Sequence, residues 1–140
     1  MQKPKMNWYK KAKFGDPVPH NDELQTLVQS LKTQYTGLEL YAYVTNSGYV
    51  EIAQIRVPEE NRNQGIGTKV IQSIKNLAQS INLPVVVRPE AESKKKKRLD
   101  DFYRGLDFVH NKGRKKDYQL STPFAPTMYW KPPVPNQDNP

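Results

Sequence analysis

A mixed α/β sheet, antiparallel on one side and parallel within a strand–helix–strand unit, is predicted by three features of the sequence. Two runs rich in Tyr, Leu and Val, Leu38 to Thr45 and Tyr49 to Val57, flank Asn46-Ser47-Gly48, whose residues tolerate the positive φ of a tight hairpin turn. From Ile66 onward, Val70, Ile71, Ile74, Leu77, Ala78 and Ile81 trace one apolar stripe with the period of an α-helix. After Leu83-Pro84 comes Val85-Val86-Val87, an unbroken β-branched run of the kind covered on both faces in a parallel sheet. A helix between two strands makes a βαβ unit, with the second strand parallel to the first.

The remaining elements follow in chain order. Pro17 and Pro19 punctuate the early chain, after which Leu24, Leu27, Val28 and Leu31 predict a helix behind Asn21 or Asp22 as its N-cap. The helix begun at Ile66 is expected to stop near Asn82. Leu99, Phe102, Tyr103 and Leu106 mark a short helix that begins in the lysine run and ends near Gly105. Phe108 to His110 and Tyr118 to Leu120, on either side of the turn signal Asn111-Lys112-Gly113, are expected as strands, and Thr127 to Trp130 as the last. Residues 1–131 are expected to form a single domain. Pro132 to Pro140, with four prolines and little apolar surface, is expected to be a disordered tail over 132–140.

Composition narrows the classes of function. A chain of 140 residues with 36% hydrophobic residues, clustered in periodic runs, can bury one core of moderate size. It has no cysteine, which excludes disulfides, thiolate metal sites and a cysteine nucleophile; its two histidines, His20 and His110, are far apart, so no metal is expected. No apolar stretch approaches the roughly 20 residues of a membrane span, and the basic start, Met1 to Phe14, is not followed by an apolar signal core. A cytoplasmic protein without membrane association, monomeric or homodimeric, is the expectation. The net charge of +8, concentrated at Lys94 to Arg98 and Lys112 to Lys116, favours a polyanionic partner: nucleic acid or ribonucleoprotein, acidic protein, or a phosphorylated cofactor.

The segment joining the second strand to the long helix is Arg62-Asn63-Gln64-Gly65-Ile66-Gly67-Thr68. Two glycines at such a junction let a ligand approach the backbone, and the exposed N–H groups of the first helical turn, aided by the helix dipole, attract phosphate. Arg62 adds a positive charge. Gly65 and Gly67 are one residue apart, which fails the spacing of a Walker A loop, and Val70 stands where a dinucleotide fingerprint needs a small residue. The competing reading is a glycine turn that serves chain geometry alone.

These residues resemble the GNAT superfamily of acyl-CoA-dependent acetyltransferases. Arg62-Asn63-Gln64-Gly65-Ile66-Gly67 fits the family's Arg/Gln-x-x-Gly-x-Gly/Ala turn at every specified position. A later family element, Leu-x-x-Phe-Tyr-x-x-x-Gly-Phe, is matched by Leu99 to Phe108, except that Asp107 replaces the glycine. The asparagine that many members carry ahead of that helix has no clear equivalent in Pro89 to Arg98.

The resemblance implies a central mixed antiparallel/parallel sheet flanked by helices, with a βαβ acyl-CoA-binding unit. It further implies acetyl-CoA as co-substrate, and transfer of the acetyl group to an amine acceptor by direct attack in a ternary complex. The pyrophosphate would sit on the backbone amides of Asn63, Gln64, Gly65, Ile66, Gly67 and Thr68 beside Arg62, and the pantetheine arm would enter between the strands ending at Val57 and Arg88. Lysines near Lys95 would meet the nucleotide phosphates. Tyr103 falls where members carry a general acid, and a phenol is protonated at neutral pH and able to supply the departing thiolate. Glu51 matches the position of a base in some members. The acceptor would be set by Gly15 to Tyr35 and Asn111 to Pro126, in which no substrate motif is legible. Two other classes compete: a basic nucleic-acid-binding protein, and an acyl-CoA sensor without catalysis.

Overall fold

The structure, a computed structural model, describes residues 17–62, 64–89, 93–114, 116–121 and 127–133, and in the segment 93–95 the backbone alone. Asn63, the lysines Lys94 and Lys95 as side chains, and the greater part of the proline-rich tail lie outside it.

The first element among the described residues is helix α1 (Asn21–Gln34), which buries Leu24, Val28 and Leu31 on one face. Its N-terminus differs from expectation. His20 is the N-cap, in the left-handed region at φ 69°, and no side chain caps the helix. The Asn21 carboxamide is engaged elsewhere: its oxygen accepts the Val44 N–H at 3.0 Å, so it fastens the helix to the end of a strand instead of closing its own first turn.

Strands β1 (Glu39–Val44) and β2 (Val50–Arg56) pair antiparallel about the predicted turn. Leu40, Ala42 and Val44 face the helices, while Tyr41 and Tyr43 face the other way with ring centroids 5.4 Å apart. The ladder is interrupted once: Tyr41 pairs with Gln54 but Ala42 pairs with Ile52, which leaves Ala53 as an extra residue on β2. This β-bulge resets the alternation, so that Ile55 follows Val50 and Ile52 toward the core although its spacing is odd.

Helix α2 (Ile66–Ser80) then crosses to β3 (Val85–Val87), parallel to β2 as the βαβ reading requires. Val70, Ile71, Ile74 and Ala78 are buried against the sheet and α1. Complete burial of an aliphatic side chain contributes about 2 kcal/mol, so this stripe anchors the helix. Helix α3 (Ser93–Arg104) includes the lysine run, and β4 (Val109–His110) and β5 (Met128–Trp130) complete a five-stranded sheet of order β1-β2-β3-β5-β4. A smaller cluster of Tyr49, Val86, Leu120 and Tyr129 covers the second face.

The Tyr118–Leu120 segment is not a strand. It forms a 3-10 turn, and β4 pairs antiparallel with β5. The buried Asn111 explains the difference: its amide nitrogen donates to the Asp117 carbonyl at 2.8 Å while its oxygen accepts the Asp117 N–H at 2.7 Å. One side chain thus occupies the backbone groups that a strand partner would need, and the Asp117 carboxylate, accepting from the Gln119 N–H at 3.0 Å, closes the turn.

Helix α3 ends in a Schellman motif. The Phe108 N–H bonds to the Tyr103 carbonyl and the Asp107 N–H to the Arg104 carbonyl, each at 3.0 Å, with Asp107 at φ 71°. Asp107 adopts the left-handed conformation for which glycine is the usual choice, so the substitution noted in the sequence leaves the turn's geometry in place. The accompanying apolar contact is Tyr103 against Phe108, ring centroids 5.5 Å apart.

Candidate active site

Parallel pairing between β2 and β3 lasts for only three rungs, Val50 with Val85, Glu51 with Val86 and Ile52 with Val87. Beyond Ile52 the two strands part company. β2 runs on through the bulge to Arg56, and the chain after β3 turns away at Arg88 and Pro89. Between them opens a cavity of about 500 Å³, lined by Ile52 to Val57 on one wall and by Arg88 and Pro89 on the other. Arg62 and Gly67 form one end, and Leu99, Phe102 and Tyr103 of α3 form its cover.

The Gly67 end of the cavity is the N-terminus of α2. Gly65 is the N-cap, at φ 76° and ψ 12°, and contributes no side chain to the free amides. The first helical N–H to bond back is that of Lys69, to the Gly65 carbonyl at 3.0 Å, so the N–H groups of Ile66, Gly67 and Thr68 have no helical acceptor. The two glycines serve different purposes. No atom lies within 4 Å of where a Cβ on Gly65 would stand, so the approach to these amides is open; a Cβ on Gly67 would meet the Phe102 ring at 3.4 Å, so Gly67 lets α3 lie close against α2.

Arg62 is held rather than free: its Nε donates to the Val57 carbonyl at 2.9 Å. That bond fixes a guanidinium at the end of the cavity nearest the α2 N-terminus and draws Val57 and Arg62 together.

Tyr103 is 5% exposed, and what surface it retains borders the cavity. Phe102 and Phe108 meet its ring edge-on. Burial alone pushes its phenol up to about 12. It therefore carries its proton throughout the neutral range.

Glu51 does not line the cavity. Its buried carboxylate lies 2.9 Å from an Arg88 guanidinium nitrogen, bridging β2 and β3 at the place where they separate. Arg88 does border the cavity, so the pair presents its cationic member there. Burial, followed by the Glu51 charge, raises the pKa of both Tyr43 and Tyr49 on the same sheet face.

Of the residues singled out in the sequence, the structure gathers Val57, Arg62, Gly67 and Tyr103 around one cavity. Gly65, Ile66 and Thr68 stand at its helical end, Gln64 precedes them, Glu51 is set back behind Arg88, and Asn63 lies outside the described residues. The cavity opens between the strand ends expected from the sequence, at Val57 and Arg88; sequence reasoning missed the pairing of Arg88 with Glu51 and Phe102 as the partner of Gly67. It also missed the bulge at Ala53, whose signal was available: apolar residues at Val50, Ile52 and Ile55 break a strict alternation.

No protein-family model and no curated protein matches this sequence. Solved structures do resemble it. The anti-CRISPR protein AcrVA5 superimposes with a TM-score of 0.51 at 22% identity, over 69% of this chain and 92% of that one. Ard1 from Thermoplasma volcanium also gives a TM-score of 0.51, at 15% identity, over 89% of this chain and 86% of its own. The Bacillus subtilis N-acetyltransferase YlbP in complex with coenzyme A superimposes more loosely, at 0.44 with 16% identity over 91% and 92%. The five-stranded mixed sheet with one parallel pair, flanked by helices, is a GNAT-like fold, shared with AcrVA5 and Ard1.

Proposed function

We propose that this protein is an N-acyltransferase that takes acetyl-CoA as co-substrate and passes its acetyl group directly to an amine. The observation that carries the proposal is the union of three features in one cavity: an uncapped helix N-terminus, a slot between diverging strands, and a buried, protonated tyrosine. The amides of Ile66, Gly67 and Thr68, with Arg62, suit a pyrophosphate, and Gln64 stands just ahead of them. Pantetheine is an extended chain with two amides, and the edge of β2 left without β3 beyond Ile52 offers backbone partners to such a chain.

Chemistry at the thioester requires an amine nucleophile, a polarised carbonyl and a proton for the leaving sulfur. The amine lone pair forms the new C–N bond, the C–S bond breaks with its electrons on sulfur, and the Tyr103 hydroxyl gives that thiolate a proton. The amine's own proton must pass to a base. Glu51, set back from the cavity and paired with Arg88 at 2.9 Å, fills that role only through an intervening water that carries the proton to its carboxylate. Arg88, on the cavity wall at the strand divergence, supplies a cation for a developing oxyanion.

Calorimetric titration with acetyl-CoA, coenzyme A, NAD and ATP at two salt concentrations tests the proposal. Selective, saturable binding of acetyl-CoA and coenzyme A supports it, and an acceptor screen then follows release of free thiol. Binding of neither removes it. Binding with no thiol release for any amine, unchanged by Tyr103→Phe, would favour an acyl-CoA sensor instead.

A further inference from the structure

Away from the cavity, the outer face of α3, the end of β4 and the following loop form one cationic track. Lys96, Lys97, Asp100, Asp101 and Arg104 line a shallow depression, and Arg104 reappears with Asp107, His110 and Lys112 in a second. The shared Arg104 makes the two contiguous. A turn closed by the Lys116 N–H on the Gly113 carbonyl at 3.2 Å then holds Lys112, Arg114 and Lys116 together.

The aspartates of this region are all engaged. Asp101 pairs with Lys97 at 2.9 Å and Asp117 with Lys131 at 3.1 Å, while Asp100 faces His110 at 3.4 Å and Asp107 faces Lys75 at 3.8 Å. Among the described residues, Lys96, Arg104, Lys112, Arg114 and Lys116 have no acidic partner. Cations crowded in this way repel one another, and an anionic partner relieves that repulsion. Aromatic rings are interleaved with them: Lys116 lies 5.3 Å from the ring of Tyr118, which is 77% exposed, and Lys131 lies 5.4 Å from that of Tyr129.

We propose that this track binds single-stranded nucleic acid, with Lys96, Arg104, Lys112, Arg114 and Lys116 meeting phosphates and Tyr118 stacking on a base. An acidic polypeptide would satisfy the charges but leave the exposed Tyr118 face unused, whereas every base offers a π-face for it. None of these residues borders the proposed acyl-CoA cavity, so the two sites stand or fall separately.

Fluorescence anisotropy of the full chain with a labelled oligothymidylate of about 15 nucleotides tests the inference. Five phosphate contacts on a single strand give a slope of about −3.5 in log affinity against log salt, which is about a 100-fold loss between roughly 50 and 200 mM. Lys112→Gln/Arg114→Gln/Lys116→Gln should flatten the slope to about −1.4. Tyr118→Ala should weaken binding about tenfold. Gly65→Glu, which blocks the helix N-terminus, should leave it unchanged. Absence of binding at about 50 mM salt, or a slope unaltered in the triple variant, would overturn the proposal. So would displacement by polyglutamate combined with indifference to Tyr118→Ala, which would assign the track to an acidic protein.

Discussion

The ammonium of Lys75, buried on the inner side of α2, donates to the Leu106 carbonyl at 2.7 Å. It also lies 3.8 Å from the Asp107 carboxylate and 5.0 Å from the centroid of the Trp130 ring. A side chain from one helix thereby closes the end of another, and α3 is the helix that carries Tyr103. Lys75→Met, which keeps the length and removes the donor, leaves that carbonyl unsatisfied. A loss of about 1–3 kcal/mol in chemical denaturation is expected.

Asp107→Gly should act in the opposite direction. The residue sits at φ 71°, where glycine has no steric penalty, and its exposed carboxylate at 3.8 Å from Lys75 gives little in return. A gain of about 0.5–1 kcal/mol is expected, read from the denaturation midpoint.

Gly65→Glu introduces both a side chain and a negative charge at the helix N-terminus. It should abolish coenzyme A binding in calorimetry while circular dichroism stays native, since no atom lies within 4 Å of the new Cβ and only the strain at φ 76° opposes it.

Tyr103→Phe should keep acetyl-CoA affinity and slow turnover by about 10²-fold to 10⁴-fold. The same residue predicts a stability profile. Its folded-state pKa, about 12, lies above the ordinary phenol value of 10.0, so the folded protein holds this proton more tightly than the unfolded chain. The contribution is complete below pH 10.0 and disappears as pH rises toward 12. Wild type should lose stability over that window more steeply than Tyr103→Phe, as followed by urea unfolding at successive pH values.

Arg88→Ala strands the Glu51 carboxylate, which is buried and otherwise paired at 2.9 Å. A destabilisation of about 3 kcal/mol is expected, and Glu51→Gln in the same background should recover most of it; a double-mutant cycle measures the coupling.

How much of this was legible in the sequence depends on the range of the interaction involved. The hairpin, the long helix and the parallel strand were readable because turn residues, apolar period and β-branched runs are local signals that burial reinforces. The glycine turn between β2 and α2 was readable for the same reason, since Gly65 supplies the positive φ that the junction uses. What escaped were features set by partners distant in sequence. Asn111 binds across to Asp117 and turns an expected strand into a 3-10 segment. Asn21 gives its oxygen to Val44 rather than to its own helix. Glu51 meets Arg88 only because β2 and β3 lie side by side, and nothing at position 51 announces that neighbour. Asp107 reads as a defect until the Schellman bonds around it are seen.

The slot between β2 and β3 arises from where their ladder stops, after three rungs, and from one supernumerary residue at Ala53. It is a property of backbone register. Side chains along its walls, Arg88 and Leu99 among them, can therefore be exchanged without closing it, because the opening is held by the main chain.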